Sequence, residues 1–276
     1  MAPSMSKITT FLAVLSTFSG LATGLSIGNF RKRAVWAPKT GTTWQIVLNS
    51  DSIDTTVKAQ VIDFDLIDNS VNKIAAAKKS GKKVICYFSA GSYEDWRPDA
   101  SSFNDEDKGD DLDGWEGETW IDTNSDNVRR IMAARMDLAV KKGCDAVDPD
   151  NVDAYDNDGG GIGLEEEDAV NYITWLANTA HSKGLAIGLK NSGDIITKAV
   201  VAKFDFAINE QCLIYNECAL WKPFLDAKKP IFHIEYPAAA PKLSDAAKKK
   251  TCDKPGRKGF STVLKTMALD NWLTTC

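Results

Sequence analysis

The sequence predicts one (β/α)8 barrel, an α/β fold in which eight parallel strands alternate with helices. Eight short apolar or β-branched runs recur along the 276 residues, and several are almost continuously apolar, as strands buried on both faces are. Helical patterns lie between them. An open doubly wound sheet is the alternative, but no GxGxxG motif follows the first run and no P-loop occurs, which removes the usual markers of nucleotide binding.

The predicted strands are short and bounded by turn residues, as strands of α/β proteins are. They cover residues 44–48, 61–65, 84–88, 144–148, 185–189, 205–209, 231–235 and 260–264. The fourth run ends at Asp148, and we expect Pro149 to stop it because proline cannot donate to a ladder.

The clearest helices are expected after the third and fourth strands. The segment 125–143 places apolar residues close to one stripe and ends on Lys-Lys-Gly, a typical stop signal. The segment 165–184 begins with acids that suit the positive end of a helix and finishes with Lys-Gly. The Gly-rich stretch 159–163 follows a loop, so it is interpreted as a flexible connection.

One predicted loop, 89–124, is unusually long, rich in acids, and contains Trp96, Trp115 and Trp120. Long irregular loops in compact domains are commonly functional. Tryptophan faces can stack on sugars, although tryptophan is equally often packing material.

The N-terminus has the pattern of a secretory signal peptide. Lys7 precedes an apolar run of moderate length that ends in small residues, which favours a signal peptide over 1–25 rather than an uncleaved anchor. A short propeptide, 26–33, would end at the basic Arg-Lys-Arg site. The expected mature chain is then residues 34–276, secreted to the extracellular space or the cell wall and acting as a monomer.

Processing would make the protein distinctly acidic. Removal of residues 1–33 deletes four basic residues and no acid, so the formal net charge falls from −5 to −9. Such a field disfavours nucleic acid and anionic membranes as partners and favours cationic ligands.

Six cysteines remain in the mature chain, and an even number in an oxidising compartment indicates disulfides. Six cysteines allow fifteen pairings. Cys212 and Cys218 would close a short loop, and a bond from Cys252 to Cys276 would fix the C-terminus. Cys86 and Cys144, each near a predicted strand, then remain. The expected bonds are Cys212–Cys218, Cys252–Cys276 and Cys86–Cys144. A metal site is the alternative, but no CxxC occurs and both histidines are far from any cysteine, so we expect no metal and no cofactor.

Carboxylates follow two predicted strands at the face where barrel enzymes carry their active sites. The stretch CDAVDPDNVD delivers Asp148, Asp150 and Asp153 beyond the fourth strand, and Glu210 follows the sixth. Two opposed carboxyl groups can hydrolyse a glycosidic bond. Turn formation or helix capping is the plain alternative for any one aspartate. A calcium loop is another, but a proline interrupts its start and no glutamate occupies its last position.

Further polar and aromatic residues are expected around these carboxylates. Lys190 and Asp148 are expected to keep the pKa values of the two acids apart. The candidate substrate-binding residues are Asp65, Tyr87, Trp96, Asp148, Asn151, Lys190, Asn191, Glu235 and Tyr236.

Four motifs in order, VICYFSAGSYEDWRPD, CDAVDPDNVDAY, GLAIGLKN and FAINEQC, resemble glycoside hydrolase family 114, the endo-α-1,4-polygalactosaminidases of fungi and bacteria. The similarity covers 44–269. It implies a (β/α)8 barrel that cleaves internal α-1,4 bonds in deacetylated, galactosamine-containing polysaccharide. It further implies that Asp150 is the nucleophile and Glu210 the acid/base. Family members often carry glutamate where this chain has Asp148, a shorter acid.

Two other functions remain open from the sequence. A non-catalytic carbohydrate-binding barrel could hold cationic polysaccharide on its acidic face, and a metal-dependent polysaccharide deacetylase could use clustered acids differently. Acids of the long loop, which could draw a cationic polymer to the barrel mouth or only aid solubility, are Asp105, Glu106, Asp107, Asp110, Asp111, Asp113, Glu116 and Glu118.

Overall fold

The structure is a computed structural model that describes residues 34–49 and 52–276. The predicted signal peptide and propeptide lie outside the described residues. Within the described part of the chain, no helix combines the length and apolar character needed to span a membrane.

The described residues form a parallel barrel with an inserted antiparallel sheet. The strands are β1 Trp44–Val47, β2 Val61–Asp65, β3 Lys83–Ser89, β4 Ser92–Glu94, β5 Lys108–Asp111, β6 Glu118–Ile121, β7 Ala146–Asp150, β8 Ala186–Lys190, β9 Phe206–Glu210, β10 Ile231–Glu235, β11 Ser261–Leu264 and β12 Thr274–Thr275. The helices are α1 Val71–Lys79, α2 Asp126–Lys142, α3 Glu166–Ser182, α4 Lys198–Lys203, α5 Cys212–Tyr215, α6 Lys222–Asp226 and α7 Asp245–Cys252.

Eight parallel strands lie side by side in the order β1-β2-β3-β7-β8-β9-β10-β11, and β12 pairs with β11 in antiparallel orientation. The first and last parallel strands meet where Trp44 Nε1 donates to the Ser261 carbonyl at 2.8 Å. All eight predicted strands are present, with ends within two residues of those expected. The predicted (β/α)8 class is therefore confirmed.

The helical layer is less regular than eight complete units. Helices α1, α2, α3 and α4 follow β2, β3, β7 and β8, while β9 is followed by α5 and α6 and β10 by α7. Among the described residues between β1 and β2, there is no helix, and β11 leads to β12 without one. The two helices expected most clearly, α2 and α3, are confirmed.

Local signals explain where these helices begin and end. Ser125 caps α2 by accepting hydrogen bonds from the Asn127 and Val128 amides, and Gly143 ends it with φ 89°. A glycine tolerates this left-handed conformation without steric cost, which makes it a common helix terminator.

Pro149 does not stop the fourth barrel strand, contrary to the prediction. β7 continues through Pro149 to Asp150, where the Asp150 carbonyl accepts from the Ala90 and Gly91 amides. Proline lacks only the N–H donor and fits an extended backbone. Pairing of β7 with β8 covers Ala146 and Val147, upstream of the proline, so the missing donor does not break that ladder.

Side-chain alternation places an apolar plug at the base of the barrel interior. The buried residues that pack there include Trp44, Ile46, Val61, Ile85, Ala146, Ala186, Phe206, Ile208, Phe232, Ile234 and Val263. Each large apolar side chain buried in this way contributes roughly 1.5–3 kcal/mol relative to exposure. The interior positions nearer the C-terminal ends of the strands are polar.

The long segment after β3 is not an irregular loop. It contains a three-stranded antiparallel sheet in the order β4-β6-β5, packed through Leu112 and Trp120 on Ala154 and Leu164. The Gly-rich stretch is not simply a flexible connection either. Gly160 has φ 66°, and a Cβ there would lie 2.8 Å from Trp120 Cβ, so close packing under the inserted sheet requires glycine.

All three predicted disulfides are present, which confirms the pairing. Cys86–Cys144 joins β3 to the residues before β7, Cys212–Cys218 closes a short loop after β9, and Cys252–Cys276 fixes the C-terminus to the end of α7.

The C-terminal segment is anchored by Lys265, which is fully buried just after β11. Its ammonium donates to Gln45 Oε1 at 3.0 Å and to the carbonyls of Asp270 and Trp272 at 2.6 and 2.7 Å. Burial lowers the pKa of Lys265 to about 7. One side chain therefore holds the tail against the first barrel strand.

We expect the Lys265→Met substitution to lower the free energy of unfolding by about 2–3 kcal/mol, because buried acceptors lose their donor. Urea titration at constant pH measures this change. Lys222→Met is the matched control, since its partner Asp226 is exposed and a surface ion pair contributes about 0–1 kcal/mol. Equal effects of the two substitutions would contradict the anchoring role.

Candidate active site

The ammonium group of Lys190 lies at the centre of the candidate site. Lys190 ends β8 and is only 2% exposed. Its Nζ lies 3.0 Å from Asp150 Oδ2, 3.4 Å from Glu210 Oε2 and 3.7 Å from Asp148 Oδ2. One buried cation thus holds together carboxylates from the neighbouring strands β7 and β9.

The three residues that end these strands are each followed by a residue with left-handed backbone. Asn151 has φ 59°, Asn191 has φ 43° and Gln211 has φ 64°. Non-glycine residues in this conformation cost about 1–3 kcal/mol and concentrate at functional sites, although asparagine tolerates it best. The chain therefore turns sharply directly after Asp150, Lys190 and Glu210.

Two side chains orient Glu210. The hydroxyl of Tyr236 donates a short hydrogen bond to Glu210 Oε1, and Asn191 Nδ2 donates to Oε2 at 3.2 Å. The backbone amide of Glu210 donates to Asn191 Oδ1 at 3.0 Å. Asn191 therefore binds both the main chain and the carboxylate of the residue it positions.

Asp150 is held by contacts on both of its oxygens. The Asn151 amide donates to Oδ1 at 2.9 Å, while Oδ2 contacts Lys190. The side chain of Asn151 in turn donates to Ser89 Oγ at 2.9 Å at the end of β3. The carboxylate is therefore fixed between two neighbouring strands.

Burial dominates the electrostatics of the site. Burial raises the pKa of Asp148 to about 7, although the Lys190 ammonium opposes this shift. Burial alone would lower the pKa of Lys190, but the surrounding carboxylates outweigh it and raise that pKa well above its usual range. Lys190 therefore stays charged.

The site opens into an acidic cleft with three adjoining cavities. The central cavity, of about 240 Å³, is lined by Asp150, Lys190 and Glu210. A larger cavity of about 560 Å³ extends along the inserted sheet, and another of about 380 Å³ extends toward α5. Trp115, 57% exposed, and Asp153 line all three, so they form one groove.

Acids line both arms of this groove. On the side of the inserted sheet they are Asp110, Asp111, Asp113, Asp156 and Asp158. On the other side they are Asp156, Asp194, Glu210 and Glu217. The groove therefore suits an extended, positively charged ligand.

Most of the expected site residues meet at the central cavity. Its lining includes Tyr87, Asp150, Asn151, Lys190, Asn191, Glu210 and Tyr236. Asp148 does not reach it, since its side chain is fully buried below Lys190. A ligand in the groove therefore cannot touch Asp148 directly.

Three expected binding residues lie away from the central cavity. Asp65 is buried against Arg97, with Oδ2 at 2.6 Å from the guanidinium. Glu235 faces the outer layer, where it accepts from the Leu213 amide at 2.8 Å, because its strand neighbour Ile234 faces the interior. Trp96 is half exposed beside Gly117 on the inserted sheet.

Asp63 was not expected at the site, and Glu118 was expected only as one of the loop acids that could attract a cationic polymer. Asp63 is fully buried in the barrel interior, and its signal was an acid in the middle of a buried strand, between Ile62 and Phe64. Glu118 reaches the central cavity from β6, accepts from Ser92 Oγ at 2.6 Å, and has a pKa raised to about 7 by burial. No local pattern marks Glu118, because the inserted sheet brings it there.

Among the described residues, one group of cysteine and histidine side chains lies close enough together to bind a metal ion: Cys212, Cys218 and His233. Both sulfurs are joined in a disulfide, so they are not available as thiolate ligands.

Comparison with solved structures identifies similar barrels. Aspergillus fumigatus Ega3 in complex with galactosamine is 48% identical to this chain, covering 88% of it and 98% of the Ega3 chain, with a TM-score of 0.83. The glycoside hydrolase domain of PelA from Pseudomonas aeruginosa is 14% identical, covering 86% of this chain and 99% of the PelA chain, with a TM-score of 0.62, and supports the fold alone.

Comparison with curated proteins found no match. The model of glycoside hydrolase family GH114 matches residues 28–276, nearly the whole chain and every element of the barrel. The chain is therefore a glycoside hydrolase and belongs to family GH114.

Proposed function

We propose that the enzyme is an endo-acting hydrolase that cleaves α-1,4-galactosamine linkages in cationic, deacetylated galactosaminogalactan-type polysaccharide. The observation that carries the proposal is the placement of Asp150 and Glu210 on one ammonium, midway along an acidic groove. Two such carboxyl groups supply the attack and the proton transfer that glycoside hydrolysis needs.

The shape of the groove supports cleavage within a polymer. The catalytic cavity lies between two larger cavities, so a chain can extend in both directions from the bond that is broken. Exposed Trp115 on its wall offers an aromatic face for a sugar ring.

The charge of the groove supports a cationic substrate. Free amino groups on the sugar would be ammonium ions near neutral pH, and carboxylates on both arms would attract them. The similarity to Ega3, which was solved with galactosamine, points to the same sugar.

In the proposed mechanism, ionised Asp150 attacks the anomeric carbon while the glycosidic bond breaks, and protonated Glu210 gives its proton to the departing oxygen. A glycosyl ester on Asp150 results. Glu210, now ionised, takes a proton from water, whose oxygen attacks the same carbon and releases Asp150. Lys190 stabilises the carboxylate charges throughout.

The distances favour retention of anomeric configuration. Asp150 Oδ2 and Glu210 Oε2 lie 3.0 and 3.4 Å from one Nζ, so these oxygens cannot be farther apart than both distances together. That limit is below the ~6.5 Å where the range of inverting enzymes begins, whereas retaining enzymes have carboxyl groups about 5–5.5 Å apart.

We also propose that the enzyme acts outside the cell as a monomer. Three disulfides suit an oxidising compartment, and one chain supplies the whole groove. Residues 1–25 would be removed as a signal peptide and 26–33 as a propeptide.

We expect Asp150→Asn to abolish release of reducing ends from partially deacetylated galactosaminogalactan, because the amide cannot form the glycosyl ester. Glu210→Gln should lower kcat by about 10²–10⁴-fold, the usual contribution of a general acid. Glu167→Gln, an exposed acid of α3, is the control and should be as active as wild type. Polymer binding without any wild-type cleavage would instead identify a carbohydrate-binding barrel.

We expect the first product released to have the α configuration of the bond that was broken. Proton NMR of the anomeric region during the first minutes of the reaction distinguishes this result from inversion. Initial release of the β-anomer would overturn the assignment of Asp150 as nucleophile.

We expect kcat/KM on the deacetylated polymer to fall by about tenfold as NaCl rises from low to high concentration, because salt screens attraction to the acidic groove. Reducing-end assays at fixed pH measure this dependence. A neutral α-galactan should not be cleaved at any salt concentration. Efficient cleavage of that neutral polymer would contradict the proposed substrate class.

A further inference from the structure

A pair of buried carboxyl groups lies below the Lys190 ammonium and takes no direct part in the proposed reaction. Asp63 on β2 and Asp148 on β7 are both fully buried. None of their four carboxyl oxygens has a hydrogen-bond donor among the other residues that the structure describes, and the two side chains lie close enough to hydrogen-bond to each other.

Both side chains point into the barrel. Asp63 lies between Ile62 and Phe64, which pack in the outer core, the layer between the strands and the helices. Its register neighbours Ile46 and Ile85 belong to the interior plug. Asp148 follows Val147 of the outer core by the same alternation. Barrels usually fill these interior layers with branched apolar side chains.

Two ionised carboxylates without donors would be very unfavourable in this place. A single proton held between them satisfies both, since one carboxyl then donates and the other accepts, as in other close acid pairs. Burial, and then the charge of Asp148, raise the pKa of Asp63 well above its usual range. Asp148 is the acid nearer to Lys190, at 3.7 Å, so it is the one that ionises.

We propose that Asp63 is a positioning residue: its protonated carboxyl donates to ionised Asp148, and Asp148 in turn holds the Lys190 ammonium between Asp150 and Glu210. The effect on catalysis rests on the proposed function of those two acids. The shared proton itself does not depend on that function.

The charged groups that act on this pair come from three strands: β7 contributes Asp150, β8 contributes Lys190, and β9 contributes Glu210. Tyr87 of β3 is the register neighbour of Asp148. Lys190 is the one cation among them, so loss of the proton from Asp63 would add a negative charge that no further cation of this group balances.

Two substitutions separate donation from packing. Asp63→Asn keeps an N–H donor for Asp148 but cannot lose a proton at this position. Asp63→Leu keeps the branching at Cγ, with methyl groups in place of the oxygens, and removes the donor. Ile62→Val, on the same strand but facing the outer core, is the control for packing loss.

The first measurement is the thermal midpoint from pH 4 to pH 8, which requires no enzyme activity. A folded pKa above the unfolded value gives stability that is complete below the unfolded pKa and lost as pH rises through the folded one. For Asp148 this window runs from its ordinary pKa of 3.8 to its raised pKa of about 7. Wild type should therefore lose stability across it.

Asp63→Asn should flatten this decline, because the amide still donates to Asp148 but has no proton that the folded state holds and the unfolded state loses as pH rises. Asp63→Leu should extend the decline to higher pH, because Asp148 then has no donor. Ile62→Val should lower the midpoint by a similar amount at every pH. If both Asp63 variants behave like Ile62→Val, Asp63 only fills space and the proposal is wrong.

The second measurement is the pH profile of kcat/KM on the deacetylated polymer. Asp63→Asn should stay within about threefold of wild type at the optimum, and Asp63→Leu should fall by at least tenfold with a displaced profile. Unchanged profiles for both would overturn the positioning role. If Asp150→Asn or Glu210→Gln keeps full turnover, the proposed mechanism fails, while the thermal midpoints still decide where the proton lies.

Discussion

The burial of Lys190 among carboxylates is the constraint on which the rest of the site depends. A buried ammonium needs opposing charge, and carboxylates from β7 and β9 supply it at 3.0 and 3.4 Å. The same contacts hold the two acids at the wall of one small cavity. A single ion cluster therefore satisfies its own burial and limits how far apart the two acids can lie.

The backbone is shaped to present this cluster. Asp150, Lys190 and Glu210 end three adjacent strands, and each is followed by a residue in the left-handed region. Asn191 offsets part of that strain with two hydrogen bonds to Glu210. The strained residue after Lys190 is thus also the residue that orients the acid on the next strand.

The sequence was informative where a pattern is local and uninformative where tertiary structure decides. Apolar runs located every barrel strand, and the strand ends located Asp150 and Glu210 at one face. The face of the strand that each side chain occupies was harder to predict. Glu235 faces the outer layer while Tyr236 reaches the cavity, and Asp63 faces the barrel interior. The sequence named Glu118 only as one of eight loop acids, because only the folding of the inserted sheet brings its side chain to the central cavity.

The charged interior costs stability that an ordinary barrel would not lose. Replacing a buried ion cluster with apolar residues of similar volume often stabilises a protein by about 1–4 kcal/mol. One disulfide contributes a similar free energy, about 2–4 kcal/mol. Cys86–Cys144 joins β3, which carries Tyr87, to the residues directly before β7, which carries Asp148, across a sequence separation of 58 residues. Cross-linking there restrains the unfolded chain and holds together the strands that carry the acids. The disulfide thus adds stability close to the polar interior, and the apolar plug adds buried apolar surface to the same barrel.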